Sequence, residues 1–324
     1  MKQSIGLRAA CLAGAIAALG AAQGAASPAP SLRFAVVART GLPFSGIFQI
    51  GATFIYTLEG HPQLYAGGPA AGKLHPFARV PSNGGEMRCA VSPGTHGWPA
   101  GVLYCHAAQG PIYRIAADGS SVTRFATIPT PRPADGALTF DTAGRFGYAL
   151  LAATGGSDSG SGGDIYGLGP SGAIRHIGRY GGPGGAENIA IAPAGFGSAA
   201  RQLLITIDKH DHLGRLLAMD SRGSVRTLIG GLTWGLDPIV PLVSSAGSAR
   251  ATPRLYVVDW LSHEVLAAPA ASLLPYRGDV FVATERHAYM YVIQPRGQTY
   301  AALTVRTNLR ARDYNLEGAQ LLAP

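Results

Sequence analysis

The sequence predicts an all-β chain folded as a six-bladed β-propeller, with four antiparallel strands per blade. Three observations carry that prediction. First, residues 184–231 contain four short apolar runs, at 189–192, 203–207, 216–219 and 225–229, separated by turn residues. Runs of this length, near period two and cut by Gly, Pro, Ser and Asp, read as antiparallel strands joined by tight turns. One meander of that size cannot bury both faces, so it must stack on copies of itself. Second, copies exist: an acidic residue precedes a first strand at Glu86, Asp135, Glu187, Asp237 and Glu285, at spacings of 48 to 52 residues. Four strands in that span match a propeller blade. Third, GPIYRIAADGSSVTRFA, GDIYGLGPSGAIRHIG and GRLLAMDSRGSVRTLI share one order of Gly, strand, Gly-containing turn and strand.

Taken in order, residues 1–26 read as a secretory signal. Lys2 and Arg8 lead, an Ala/Leu-rich apolar core follows, and small residues end it near Ala26. Residues 27–324 then form one domain whose length accommodates six blades. The run 33–38 (RFAVVA) is a spare strand. The repeat from Glu285 has room for about three strands, so this N-terminal strand is expected to complete the last blade and close the ring. Residues 44–80 supply the first meander. Cys89 and Cys105 fall in the first and second strands of the Glu86 repeat, symmetric about Gly97. A cross-strand disulfide and two buried thiols both fit that placement. The loop 154–164 (TGGSDSGSGGD) reads as solvated, with a calcium-binding turn as the alternative.

Composition narrows the function classes. The formal net charge is +8, but no Lys/Arg cluster is interleaved with aromatics, which argues against nucleic acid. The basic excess favours anionic surfaces or small anionic ligands. After the leader no stretch is apolar for long enough to span a bilayer. The expectation is a soluble, monomeric, secreted or periplasmic protein. No Gly-x-Ser-x-Gly elbow and no Walker-type loop occurs.

In a propeller, residues just before the inner strands ring one channel mouth, and loops joining second to third strands open on the same face. Glu86, Asp135, Glu187, Asp237 and Glu285 should therefore converge there, near His106, His210-Asp211-His212, Asp259 and His263. Crowded like charges repel unless a cation or an Arg compensates. Calcium or magnesium suits such oxygens; zinc, using His210 and His212, ranks behind them. A plainer use for each acid is to cap a turn.

The run 135–154 (DGALTFDTAGRFGYALLAAT), with GGAENIAIAP and WGLDPIVPL, resembles the senescence-marker-protein/gluconolactonase family and its relatives with NHL-type repeats. The resemblance implies a six-bladed propeller with a divalent cation at the channel mouth that activates a lactone or ester. It puts Glu187 where an Asn ligand is expected and Asp237 where the Asp ligand and base is expected. Glu86 and Asp135 fall one residue early, and a slip of one turns a strand side chain to the other face. The family's early Glu-Gly-Pro signature is missing.

Three functional readings stand. The first is an exported metal-dependent hydrolase of a lactone or small ester. Glu86, Asp135, Glu187 and Asp237 would hold the ion, Asp237 or His210 would be the base, and His106, His212, His263 and Asn188 would contact substrate. The second is a non-catalytic exported propeller binding a protein or glycan on a flat face. The third is a lyase of the streptogramin-lyase type, with His210 or His263 near magnesium. Fold alone does not choose among them.

Overall fold

The computed structural model describes residues 29–68, 73–81, 86–106, 110–129, 136–155, 161–208, 214–243 and 253–322. They form a closed ring of six four-stranded antiparallel sheets. Blade 1 is Phe44–Ile50, Thr53–Leu58, Gln63–Gly67 and His75–Arg79. Blade 2 is Arg88–Pro93, Ala100–His106, Pro111–Ile115 and Val122–Thr127. Blade 3 is Ala137–Phe140, Leu150–Ala153, Gly163–Leu168 and Ile174–Tyr180. Blade 4, the meander on which the repeat was read, is Gly185–Ile191, Leu203–Asp208, Gly214–Met219 and Val225–Leu232. In each, the first strand is innermost.

Blades 5 and 6 depart from this order. Blade 5 opens with Leu236–Pro241, but its next strand is Val280–Thr284, followed by Met290–Arg296 and Thr299–Thr304. The chain between crosses to blade 6 and lays down Arg254–Asp259 and Glu264–Pro269. Leu316–Leu322 then becomes the innermost strand of blade 6, and Ala35–Arg39 its outermost. The N-terminal strand thus completes the last blade, as its sequence suggests. The boundary at Glu285 needs correction: Glu285 follows a second strand, and the acid opening the sixth inner strand is Glu317.

Packing follows from the period-two pattern. Six apolar clusters fill the spaces between neighbouring blades, one per interface. Between blades 2 and 3, for example, Trp98 packs edge-on against Tyr104 and Phe140. Each sheet buries both faces against its neighbours, which no single blade could do alone. The inner strands are left to line a central bore.

Cys89 and Cys105 form a disulfide between the first two strands of blade 2, with Cα atoms 4.1 Å apart. In the same register Arg88 lies opposite His106. Because side chains alternate, that pair faces the side of the sheet away from the disulfide. The cross-link therefore fixes the two strands one residue from Arg88.

Candidate functional site

Where the inner strands begin, irregular pairing re-aims the side chains. In blade 4, Ala186 pairs with Ile207 and Asn188 with Thr206, so Glu187 is the extra residue of a bulge. Glu317 in blade 6 and Ser45 in blade 1 are extra in the same way, and the register of blade 5 slips across Asp237. A bulge turns its residue out of strict alternation, and here it does so at the same point in four blades. These residues come together where the bore is closed.

Arg88 of blade 2 lies in their midst. One terminal nitrogen of its guanidinium stands 2.5 Å from Glu86, 2.9 Å from Asp237, 3.4 Å from Glu317 and 3.8 Å from Glu187. The other donates to the backbone carbonyls of Ser45 and Glu317. The side chain is 4% exposed. A single guanidinium thus binds blade 2 to blades 1, 4, 5 and 6. Asn188 donates to the second oxygen of Asp237 at 3.3 Å, and the Thr206 hydroxyl donates to the Asp237 carbonyl.

The electrostatics are lopsided, with four buried or nearly buried carboxyls against one Arg. Burial would lower the Arg88 pKa, but Asp237, Glu86, Glu317 and Glu187 outweigh it and hold the group protonated. Burial, then the charges of Glu86 and Asp237, push Glu187 and Glu317 well above the carboxylate range. Burial lifts Asp237 to about 6 despite its contact with Arg88. Protons, as well as the guanidinium, therefore balance the cluster.

The sequence-derived candidates divide clearly. Glu86, Glu187, Asp237 and Asn188 are brought together. Glu86 reaches Arg88 although it falls one residue early, because it precedes the strand and is not in it. Asp135, His210 and His212 lie outside the described residues. His106 ends the second strand of blade 2, fully buried, with neither ring nitrogen hydrogen-bonded among the described residues. Burial pushes its pKa down to about 4. Its ring fills the space above Gly136, where a Cβ would collide with it. Asp208 takes the same place in blade 4, against Gly235 of blade 5. His106 is thus a packing element between blades 2 and 3, closed to a substrate. His263, in the turn after Asp259, accepts from the Thr40 N–H through its carbonyl, away from the cluster. Asp259 itself caps that turn, accepting from Ser262 and Asn315.

Arg88 and Glu317 were not among the candidates. Arg88 was legible as the one charged residue inside the apolar run MRCAV. Glu317 was masked by Glu285, which matched the fifty-residue spacing. Glu285 still lies close enough to raise the pKa of Asp237 and Glu317.

A divalent ion would need the volume that the Arg88 guanidinium fills, and the carboxylate oxygens nearest it already accept from Arg88. Among the described residues no group of three or more His, Cys, Asp or Glu side chains has the arrangement of a metal site. The described residues do not fit the ion that the family resemblance implies.

No protein-family model and no curated protein sequence matches the chain. Its fold is similar to that of a solved nidogen/laminin complex, with a TM-score of 0.52 at 10% identity, covering 86% of this chain and 85% of that one. That likeness establishes the propeller fold.

Proposed function

We propose that this chain is a non-catalytic exported propeller that binds a partner through its ring, in preference to a metal-dependent lactone hydrolase. The observation that carries this reading is Arg88. It supplies the positive charge that a crowd of carboxylates at a channel mouth requires, which supports a cluster balanced without a metal ion. The cluster reads as a structural pin across the bore. The similar solved structure is a nidogen/laminin complex, which agrees with a protein partner. Export is supported by the Cys89–Cys105 disulfide, since such bonds persist in oxidising compartments.

The test is direct. Purified protein is melted with and without millimolar calcium, magnesium and zinc, then assayed on a panel of lactones and aryl esters. The binding reading expects no ion-dependent rise in melting temperature and no turnover. A rise that grows with ion concentration, accompanied by hydrolysis that Asp237→Asn abolishes, restores the hydrolase.

A further inference from the structure

The bore itself is unassigned. The six inner strands enclose a cavity of about 550 Å³, the size of a small-molecule site. It runs from Arg88 and Asn188 at the pinned end to the loops after the inner strands, where Thr142, Ala194, Arg201 and Val243 line its rim. Val243 is 52% exposed, so this end opens to solvent. Most of the wall is apolar or neutral, from residues such as Phe48, Leu138, Ile189, Ile239 and Ala319. Among the described residues the only charged side chains on the lining are Arg88 and Arg201, both cationic.

Arg201 differs from Arg88 in two ways. Its guanidinium makes no hydrogen bond or ion pair among the described residues, and the residue is exposed. Its backbone is also left-handed, at φ 59°. It sits two residues before the second strand of blade 4. The matching positions of blades 1 and 5 are Gly51 and Gly278, both with positive φ, and that of blade 3 is Tyr148, at φ 58°. Holding a side chain in this left-handed backbone, where blades 1 and 5 use Gly, costs conformational energy, and strain of that kind gathers at functional positions. An unpaired cation is thus held at the rim of an apolar bore.

The pinned end settles which way a ligand would lie. Arg88 there is already engaged by four carboxyls and two carbonyls, so that end offers an anion no free cation, whereas Arg201 at the rim does. We propose that the bore binds a small amphipathic organic anion of the alkyl-carboxylate class, with its apolar body along the bore and its acid group on the Arg201 guanidinium. Such a site is independent of whether a protein docks on the outer faces of the ring.

The test is calorimetric titration of the whole protein with decanoate, decanol and decyltrimethylammonium below their micellar concentrations, together with octanoate and dodecanoate. Decanoate should bind saturably, one per chain, and each added methylene should tighten binding about fourfold until the bore is full. The head-group order should be carboxylate, then alcohol, then ammonium. Arg201→Gln should weaken decanoate about tenfold or more and leave decanol unchanged. Ala319→Trp, which fills the bore, should abolish both; should that variant fail to fold, the head-group series and Arg201→Gln still decide. Absence of saturable decanoate binding, equal binding of the three head groups, or indifference to Arg201→Gln overturns the proposal. Turnover of an ester would overturn the non-catalytic reading and leave these titrations interpretable.

Discussion

At one end of the bore, Arg88 is buried, fixed by six oxygen contacts and outnumbered by the carboxyls around it. At the other, Arg201 is exposed, free of partners among the described residues and held in a left-handed backbone. The same side chain serves opposite ends. Where charge is paired and desolvated, removing it leaves its partners stranded. Where charge is solvated and unpaired, removing it should cost the fold almost nothing. The difference separates the part of the ring that supplies stability from the part free to supply recognition.

The sharpest way to break this comparison is to remove each guanidinium in turn. Arg88→Ala strands buried carboxylates and should cost about 3–5 kcal/mol in urea unfolding. Arg201→Gln should stay within about 0.5 kcal/mol of the parent. Equal losses would mean that the pinned end is no more structural than the rim. Next in size is the cross-link beside Arg88. The double change Cys89→Ala, Cys105→Ala opens a loop closed over a separation of 16 residues and should cost about 3 kcal/mol. Reduction of the parent protein should reproduce that loss.

A pH series sharpens the picture of the pinned end. Asp237 has its pKa raised by burial from 3.8 to about 6. Its contribution to stability is therefore present below pH 4 and lost as pH rises through 6. His106 is pushed by burial from 6.5 down to about 4. Its contribution is present above pH 6.5 and lost as pH falls through 4. Glu187 and Glu317, also raised by burial, trend with Asp237, so three carboxyls oppose one imidazole and the melting temperature should fall as pH rises from 4 to 6.5. Asp237→Asn should tilt the profile upward with pH, and His106→Leu should tilt it downward. The smallest effect belongs to the rim: Arg201→Gly relieves the left-handed backbone and should leave stability unchanged or raise it by up to about 1 kcal/mol.

The meanders were legible because their period-two runs and Gly turns are local signals, and blades 1 to 4 use consecutive strands. Blades 5 and 6 were not, because the chain leaves one sheet and returns to it after residues that obey the same pattern. Periodicity records that a strand exists, not which sheet it joins. The convergence of Glu86, Glu187 and Asp237 was legible from their shared place before the inner strands. The nature of their counter-charge was not. Acids at a mouth call equally for a metal or for a guanidinium, and the choice turned on Arg88, a residue inside a strand that repeat counting passed over. His106 illustrates the same limit: its loop position matched a ligand's, yet its ring lies between blades.

The interleaving of blades 5 and 6 bears on the order in which this molecule can assemble. Blades 1 to 4 are each complete once their own stretch of chain is available. The Phe34 amide, by contrast, pairs with Asn308, 274 positions away, and the strand beginning at Ala35 needs Glu264–Pro269 as its neighbour. Contacts of such range form late and slowly. Until residues 316–322 enter blade 6, the molecule is an open arc with raw strand edges, Arg88 lacks its Glu317 contacts, and self-association competes with closure.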